Sequence, residues 1–459
     1  MRETIVLLAL LSLVLGAGCG QATTPSEGTV PTPTHLSTIS PTPTPSSVST
    51  PIPPTIPTLA PTPAPTPTQA PQPTAIPSPT PRPNPTATTL PSPPPEPTAH
   101  RQAPGATTPT AMPAAGPVAA KEVKVEVVAE NPRVPWALAF APDGRLFFTE
   151  RPGAIRVMEG GKLLPEPFAR LPVAAEAEAG LLGLALSPDF QNNGYVYAYY
   201  TYRGVDGRLW NRVVRLKDRG NRGEEPAVLL DGIPGAGIHD GGRLRFGPDG
   251  KLYITTGDAA SSQLSQDRAS LAGKVLRLNP DGSIPPDNPF SGSPVFSLGH
   301  RNPQGLAWHP VTGGLFITEH GPQAHDEVNL VQGGKNYGWP LVTGRGGDSN
   351  FVAPLWESGS STWAPSGATF NSGGKLPPEW RGRLFFGALR GGHIHWLELT
   401  PPDYREVVKD GVLFQDQYGR IRDVVQGPDG YLYFATSNRD GRGAPAPTDD
   451  RILRLVPSP

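Results

Sequence analysis

The folded part of this 459-residue sequence is predicted to be all-β, and more specifically a six-bladed β-propeller. One phrase, a Pro-containing turn that often includes Asp-Gly and leads into an alternating apolar strand, recurs at intervals of about fifty to seventy residues. Six similar units, each long enough for a four-stranded sheet, favour a ring of sheets closed around an axis. The six copies are APDGRLFFTE (141–150), SPDFQNNGYVYAYYTY (187–202), GPDGKLYITTGD (247–258), HPVTGGLFITEHG (309–321), LPPEWRGRLFFGAL (376–389) and GPDGYLYFATS (427–437).

The ends of these phrases carry polar residues, which indicates where function should lie. Thr149-Glu150, Gly257-Asp258 and Glu319-His320 each close one copy. In a radial array, equivalent strand ends gather near one face. The repeat therefore predicts a polar mouth shared by several blades. Further short apolar strands, KVLRLN and HIHWLEL, lie between copies, and long amphipathic helices are absent from the pattern.

The N-terminus is predicted to be a lipoprotein-type signal peptide over residues 1–18. Arg2 precedes the apolar run Ile5–Leu15, and LGAGC resembles a lipobox that would place a lipid on Cys19. Gly16 departs from the usual leucine of that motif. A lipid-anchored, extracytoplasmic protein is expected, with simple secretion and a retained anchor helix as the alternatives. The apolar run is too short to span a bilayer comfortably.

Residues 19–120 are predicted to be a disordered stalk. They are dominated by Pro, Thr, Ser and Ala, and their apolar side chains are too sparse to offset the entropy of ordering the chain. Such proline density favours polyproline II, which suits a semi-rigid spacer. The folded domain is therefore assigned to residues 121–459.

Composition excludes several classes of site. The formal net charge is −1 and the charged residues are interspersed, so neither a nucleic-acid footprint nor a basic membrane face is expected. Membrane contact is expected only through the lipid anchor. Cys19 is the only cysteine, so no intramolecular disulfide and no cysteine-based metal site or nucleophile belongs to the domain.

Five ordered motifs identify a family resemblance. The sequence resembles the soluble PQQ-dependent sugar dehydrogenases (glucose/sorbosone dehydrogenase-like), and within them the compact aldose sugar dehydrogenases. The resemblance spans about Asn131 to Leu455. It implies a six-bladed propeller that oxidises aldoses at the anomeric carbon to lactones, with PQQ and Ca²⁺ as cofactors. The motifs are FSLGHRNPQGLAWHP, ITEHGPQAHDEVNLVQGGKNYGWP, STWAPSGATF, GALRGG and GRIRDVVQGPDG.

The resemblance assigns the catalytic roles to three residues. His239, in HDGGRL, matches the family's general base, and an imidazole is well suited to that task near neutral pH. Asp258 matches the carboxylate that orients the base, and Arg301 would stabilise charge that develops on reduction of the cofactor. Pattern alone leaves a plainer alternative, in which His239 is a turn residue and Asp258 a strand-end cap.

A tricarboxylate quinone calls for guanidinium or ammonium groups in its pocket. Arg420 and Arg422 alternate by two and share one face of a strand. Glu178 and Arg390 stand where glucose-oxidising members carry a glutamine and a lysine, and Ile238 replaces an aspartate near the sugar. A carboxylate at Glu178 is expected to be protonated, ion-paired or turned away. The resemblance places Glu178, Arg301, Asn302, Thr362, Arg390, Arg420 and Arg422 at the cofactor.

The resemblance also implies calcium. Carbonyl oxygens at Gly321 and Pro322 would hold Ca²⁺ against the quinone, where it acts as a Lewis acid. Glu327 and the carbonyl of Tyr337 would hold a second, structural ion, and Asp326 is a weaker candidate ligand for it.

Four histidines invite comparison with a zinc site: His320, His325, His393 and His395. His393 and His395 share a strand face, but no third ligand has a plausible spacing, so all four histidines are expected at the surface or the mouth. Trp339 and Trp363 either line the mouth and stack on a sugar or pack in the core.

The expected partners are a small-molecule aldose and an electron acceptor, a quinone or a redox protein, whose identity the sequence leaves open. Two other functions compete with this interpretation. One is a non-catalytic propeller used as a binding module, and the other is a Ca²⁺-dependent propeller lactonase. The lactonase would need a ring of acidic and amide side chains around the axis, whereas the matched cluster here is rich in arginine.

Overall fold

Twenty-five strands and three single-turn helices make up the described structure, a computed structural model that covers residues 123–458. The predicted signal peptide, the lipid-attachment residue Cys19 and the predicted stalk (19–120) lie outside the described residues. Residues 123–458 contain no helix that is both long enough and apolar enough to cross a membrane.

The strands form six antiparallel sheets, which confirms the predicted six-bladed propeller. The first blade contains β2 (Pro135–Phe140), β3 (Leu146–Glu150), β4 (Ala154–Glu159), β5 (Lys162–Leu163) and β6 (Ala169–Arg170). The second blade contains β7 (Leu181–Leu186), β8 (Tyr195–Arg203), β9 (Leu209–Asp218) and β10 (Gly223–Pro234). The third blade contains β11 (Leu244–Phe246), β12 (Leu252–Thr256), β13 (Lys274–Leu278) and β14 (Val295–Leu298).

The remaining three blades repeat this pattern. The fourth contains β15 (Pro303–Trp308), β16 (Leu315–Glu319), β17 (Glu327–Val331) and β18 (Trp356–Glu357). The fifth contains β19 (Pro365–Phe370), β20 (Leu384–Ala388), β21 (His393–Leu399) and β22 (Val407–Leu413). The sixth contains β23 (Ile421–Gln426), β24 (Leu432–Thr436) and β25 (Arg451–Pro457), with β1 (Val123–Glu130) as its outer strand. Single turns of helix are α1 (Phe190–Asn193) and two 3₁₀ segments, Ser262–Ser265 and Pro378–Trp380.

The ring closes because the first and last described strands share one sheet. β1 pairs antiparallel with β25, with Val123 opposite Pro457 and Glu130 opposite Arg451. The innermost strands β2, β7, β11, β15, β19 and β23 contact one another in that order around the axis. Each copy of the repeated phrase covers the turn between an innermost strand and the second strand of its blade, so the repeat is the blade itself.

Apolar side chains fill the space between neighbouring blades. Tyr197 of the second blade and Phe246 of the third lie edge to face, with ring centroids 5.0 Å apart. Phe316 of the fourth blade and Phe370 of the fifth repeat this arrangement at 5.1 Å. Neighbouring blades cover both faces of a blade. The second strands β3, β12 and β20 are therefore buried along their whole length.

A buried polar cluster occupies the axis. Arg243 and Asp423 form an ion pair with Nη1 and Oδ2 3.0 Å apart, and the Arg243 guanidinium lies 4.2 Å from the ring centre of Trp136. The same carboxylate accepts the backbone N–H of Leu138, and Arg243 Nε donates to the carbonyl of Gln304. This network joins the first, third, fourth and sixth blades across the centre of the ring.

Candidate functional site

A cavity of about 390 Å³ opens at one end of the ring. Its lining residues either precede an innermost strand, lie on it, or follow a second strand, so the phrase ends do gather on one face as predicted. The cavity brings together nine residues singled out in the sequence: Glu178, His239, Arg301, Gly321, Pro322, Thr362, Arg390, Arg420 and Arg422. Its volume is in the range of small-molecule sites.

The cavity is strongly cationic. Six arginines line it against three carboxylates, so its formal charge exceeds neutrality by three positive units. Burial lowers the pKa of Arg301 and of Arg422, although both guanidiniums stay cationic at neutral pH. In the described part of the chain, the buried Nε atoms of both residues have no hydrogen-bond partner. A site with surplus, unpaired guanidinium donors is suited to an anion with several carboxylates.

His239 and Asp258 meet, as the family resemblance implied. His239 Nδ1 lies 2.9 Å from Asp258 Oδ1, and the aspartate is almost completely buried. The turn that carries the histidine is tight, with His239 at φ 62°, and its carbonyl accepts the N–H of Ala259 just after the aspartate. The ring is 15% exposed and lines the cavity. An aspartate on Nδ1 favours the tautomer in which Nε2 is free to accept a proton.

Arg301 lies beside this pair. Its backbone N–H donates to Glu319, its carbonyl accepts the N–H of Asp258, and its guanidinium donates to the carbonyl of His320 at 3.3 Å. Burial, together with the charges of nearby arginines, holds the pKa of His320 well below its usual value, so that ring is neutral. Arg301 therefore presents the positive charge on this side of the cavity.

Asn302 is fully buried and does not itself line the cavity. Its Nδ2 lies 3.3 Å from His320 Nδ1, and its Oδ1 accepts the N–H of Gly241. The residue joins the turn that carries His239 to the fourth blade. Its predicted contact with a cofactor stays a prediction.

Arg420 lies just before β23 and Arg422 lies on it, and both line the cavity. Arg420 Nε donates to Asp440 Oδ2 at 2.8 Å, and Arg422 Nη2 lies 3.5 Å from the same oxygen. Arg422 Nη1 also donates to Gln304 Oε1 at 2.6 Å. One carboxylate between two guanidiniums fixes both while leaving net positive charge for a ligand.

Glu178 is ion-paired, one of the three states expected for it. Its Oε1 lies 2.5 Å from Arg442 Nη1, and its Oε2 accepts the backbone N–H of His239 at 3.4 Å. Arg442 follows the last inner hairpin of the sixth blade, whereas Glu178 precedes β7 of the second. This pair therefore connects two blades at the rim of the cavity.

Gly321 and Pro322 lie on the cavity wall in a tight loop. Asp326 Oδ1 accepts the N–H of Gly321, and its Oδ2 accepts the N–H groups of Trp363 and Ala364. A Cβ on Gly321 would lie 1.9 Å from the carbonyl oxygen of Ala324, so only glycine fits. Asp326 is thereby committed to backbone donors.

Glu327, a predicted calcium ligand, faces Glu319 directly across the β16–β17 pair. Burial and the neighbouring charge of Glu319 raise the pKa of Glu327 to about 8. Both carboxylates and Tyr337 line a small cavity of about 10 Å³ beside Gly321 and Arg301. Residues 123–458 hold no group of three or more His, Cys, Asp or Glu side chains arranged around a common metal position. Any ion here would depend on carbonyl oxygens as well, which suits calcium.

His320 and Asp326, which the sequence analysis named as a phrase end and as a weaker calcium ligand, also line the cavity, as do the apolar Ala364 and Leu389. Four further polar residues line it that sequence reasoning did not assign to it: Arg151, Gln304, Asp440 and Arg442. Two of them had a usable signal. Arg151 follows a phrase end, and Gln304 stands within the RNPQG motif. Asp440 and Arg442 lie in the irregular segment between β24 and β25, where no periodicity points a side chain toward the axis.

His393 and His395 were wrongly predicted at the surface or the mouth. Both are buried, at 2% and 1% exposure, in an aromatic cluster with Trp356 and Trp363. They belong to the third strand of the fifth blade, which neighbouring blades cover on both faces. Trp363 packs in this cluster, and neither it nor Trp339 is among the residues that line the cavity. The Trp339 indole instead donates to Asp258.

Comparison with known proteins agrees with the site and the fold. Residues 132–453 match the sequence model of the Glucose / Sorbosone dehydrogenase family. The aldose sugar dehydrogenase YliI of Escherichia coli is 37% identical, with 70% of this chain and 91% of that protein covered. Quinoprotein glucose dehydrogenase B of Acinetobacter calcoaceticus is 32% identical, with coverage of 69% and 85%.

A solved structure gives the same relationship. The PQQ-bound form of an aldose sugar dehydrogenase from Streptomyces coelicolor is 38% identical, with a TM-score of 0.66 and coverage of 74% of this chain and 99% of that one. The residues that match the family model, 132–453, include each segment that contributes to the cationic cavity. The chain belongs to the glucose/sorbosone dehydrogenase family of sugar-oxidising oxidoreductases.

Proposed function

We propose that this protein is a PQQ- and Ca²⁺-dependent aldose dehydrogenase that oxidises the anomeric carbon of a sugar to a lactone. The observation that carries the proposal is the pairing of a His–Asp dyad with an arginine-lined cavity. PQQ bears three carboxylates, and the cavity has three more positive than negative side chains. Electrostatic complementarity of this kind supports binding of that cofactor rather than of a neutral one.

His239 is proposed to act as the general base. With Nδ1–H directed at Asp258, Nε2 is available to take the proton of the anomeric hydroxyl. Asp258 holds the ring in this orientation and stabilises the imidazolium that results. The C1–H bond breaks, and the hydrogen leaves with both bonding electrons as a hydride. PQQ, when bound, would supply the hydride acceptor. The carbon thereby becomes a lactone carbonyl, and its proton and hydride have separate acceptors.

The arginines are proposed to bind the cofactor and orient it. Arg420, Arg422 and Arg390 would pair with its carboxylates, and Arg301 would face the carbonyl that gains negative charge. The excess of arginines over carboxylates in the cavity lining supports this assignment, because the surplus guanidinium donors call for anionic acceptors. Thr362 lies on the same wall, next to the Gly321–Pro322 loop.

Calcium is proposed at two places. Carbonyl oxygens of Gly321 and Pro322 would hold one ion at the cavity, where a divalent charge polarises a carbonyl. Glu327 and the Tyr337 carbonyl would hold the other, and Glu319 joins them as a ligand candidate that only the structure reveals. An ion between the two facing carboxylates would remove their mutual repulsion.

The cellular setting is proposed from the N-terminal sequence. Cys19 would carry the lipid, and the Pro/Thr-rich segment would hold the catalytic domain away from the membrane. Aldose would reach the cavity from outside the cytoplasm, and the electrons would pass to a quinone or a redox protein.

Reconstitution tests the proposed function. The purified apo-protein is incubated with PQQ, with Ca²⁺, with both or with neither, and dye reduction is followed with glucose and other aldoses. Activity is expected only with both additions, and His239→Ala should lose at least a hundredfold in kcat.

A matched control is His309→Gln, which changes a histidine that lies against Tyr404, away from the residues of the cavity. It should retain the activity of the wild type. If wild-type protein binds no PQQ and reduces no dye, the proposal is wrong. Hydrolysis of a lactone without PQQ would then favour the lactonase.

A further inference from the structure

The Asp258 carboxylate has two oxygens, and each meets a different donor. Oδ1 lies 2.9 Å from His239 Nδ1 and also accepts the N–H of Ala260 at 2.9 Å. Oδ2 accepts the indole N–H of Trp339, again at 2.9 Å. Since the carboxylate is 1% exposed, water does not provide an alternative donor to Oδ2. The indole therefore fixes the rotation of the carboxylate that faces the base.

The backbone of Trp339 is held by two hydrogen bonds. Gln266 Nε2 donates to the carbonyl of Trp339 at 2.7 Å, and the N–H of Trp339 donates to the carbonyl of Gly299 at 3.0 Å. Gln266 in turn exchanges two hydrogen bonds with Asn336, at 2.7 and 3.1 Å. The backbone that carries the indole is thus joined to the loop after β12, which begins at Asp258.

The indole also contacts Arg301, the other residue to which catalysis is attributed. The Arg301 guanidinium carbon lies 5.3 Å from the centre of the Trp339 ring, within cation–π range. One side chain therefore touches both the partner of the proposed base and the proposed charge-stabilising arginine. A change at Trp339 reaches both through direct contacts.

We infer that Trp339 is a positioning residue that sets the tautomer and orientation of His239 through Asp258. The inference rests on the proposed function for its effect on rate, but its effect on the imidazole belongs to the protein without cofactor. The proton on a neutral imidazole stays on the nitrogen whose hydrogen bond is fixed by a partner. Loss of the indole N–H lets the carboxylate rotate, and Nδ1 then shares its proton with Nε2.

This role differs from the stacking role that the sequence suggested for Trp339. The indole is not among the described residues that line the cavity, so a direct contact with sugar is not the basis of its action. A stacking residue changes KM, because it contributes equally to ground state and transition state. A positioning residue changes kcat.

Trp339→Phe tests the inference with two readouts. In the apo-protein, ¹⁵N NMR of labelled histidine should show His239 as the Nδ1–H tautomer in the wild type and as a mixture of tautomers in the variant. In the reconstituted enzyme, kcat should fall roughly ten- to a hundredfold, as expected for a displaced catalytic group, while KM changes by less than about threefold.

Trp308→Phe is the matched control, because the buried indole N–H of Trp308 has no hydrogen-bond partner and its ring packs on Tyr253. It should change neither readout. Should Trp339→Phe fail to fold, Gln266→Leu releases the Trp339 backbone and should shift the tautomer in the same direction.

An unchanged His239 tautomer in the folded variant would overturn the inference, and so would a loss confined to KM. The proposed function fails separately. Wild-type protein without sugar-oxidising activity refutes it, while the tautomer in the apo-protein still decides the role of Trp339.

Discussion

Glu178 and Arg442 form an ion pair at the rim of the cationic cavity, with Oε1 and Nη1 2.5 Å apart. The two residues come from the second and sixth blades, which flank the first blade. A carboxylate at this position looked unfavourable for a site that binds an anion. Its partner resolves the conflict, because Arg442 neutralises the charge where it faces the cavity. Substitution of either member of the pair therefore changes the net charge of the cavity.

Opposite effects on cofactor affinity are predicted for the two members of this pair. Glu178→Gln removes a negative charge and frees Arg442, so PQQ should bind about three- to tenfold more tightly at low ionic strength. Arg442→Ala leaves the carboxylate unpaired, so binding should weaken by a similar factor. Fluorescence titration of the apo-protein with PQQ measures both.

Glu176→Gln is the control for these variants, since Glu176 pairs with exposed Arg203 and does not line the cavity. It should leave the PQQ affinity unchanged. Shifts in the same direction for Glu178→Gln and Arg442→Ala would show that the pair acts through the shape of the rim rather than through its charge.

Asp258→Asn should preserve the fold and lower kcat by about a thousandfold. The amide is the same size as the carboxylate, but it carries no negative charge to stabilise an imidazolium. Toward His239 Nδ1 it presents either an N–H donor, which favours the other tautomer, or an uncharged oxygen. Steady-state kinetics of the reconstituted enzyme give the effect, and thermal unfolding of the same sample reports its fold. A loss of less than tenfold in a folded variant would contradict the proposed role of Asp258.

Removal of calcium should invert the stability order of wild type and Glu327→Gln. Without the ion, burial and the charge of Glu319 raise the pKa of Glu327 to about 8, so at neutral pH folding must protonate this carboxyl, and the variant, which avoids that cost, should melt higher by roughly 2–4 °C. With millimolar Ca²⁺, the wild type gains a ligand that the variant lacks, and it should melt higher instead. Thermal unfolding in chelator and in Ca²⁺ checks the crossover.

Glu398→Gln serves as its control, because Glu398 pairs with Arg383 on the fifth blade, away from the proposed ion. Its effect on melting should be the same in both media. Parallel shifts for Glu327→Gln in chelator and in Ca²⁺ would argue against an ion at this position.

Asp240 should make stability fall between about pH 4 and pH 7. Burial raises the pKa of Asp240 to about 7, and its Oδ2 has no hydrogen-bond partner within residues 123–458. The folded protein therefore keeps a proton that the unfolded chain loses, and folding is penalised as pH rises through this window. Asp240→Asn removes the penalty. Its free energy of unfolding relative to wild type should therefore rise with pH, by about 2–4 kcal/mol between pH 4 and pH 8.

Urea unfolding at several pH values measures this difference. The relative gain should level off above pH 8, where the carboxyl is ionised in both states. A constant difference between Asp240→Asn and wild type at all pH values would show that Asp240 does not hold a proton in the folded protein.

The fold was accessible from sequence because its repeat is local. Each phrase contains a complete turn and strand, so six copies could be counted without knowledge of how the chain closes. The contact between His239 and Asp258 was implied by the family resemblance, whereas the pattern alone left open a turn residue and a strand-end cap; the structure shows that one short hairpin brings its two ends together.

The Glu178–Arg442 pair lay beyond that kind of reasoning. Its members belong to different blades, and Arg442 stands in a segment without strand periodicity, so only the closed ring brings them together. Trp339 is similar. The motif NYGWP marks a turn, but the direction of the indole depends on Gln266 in the preceding blade.

His393 and His395 show a different limit. Alternation along β21 placed them correctly on one face of a strand, but it does not reveal whether water or another sheet covers that face. In a propeller both faces of a blade are covered, so a histidine there is core, and burial lowers the pKa of both rings.

The pairing of β1 with β25 has a consequence for the order of events during biosynthesis. The sixth blade borrows its outer strand from the beginning of the domain and its third strand from the end. A chain that has emerged only as far as the fifth blade still has an open ring, with strand edges exposed on both sides of the gap. Closure of the ring, and with it completion of the arginine cluster beside β23, must await release of the last segment, so a newly made chain acquires a complete pocket only after β25 has become free to pair with β1.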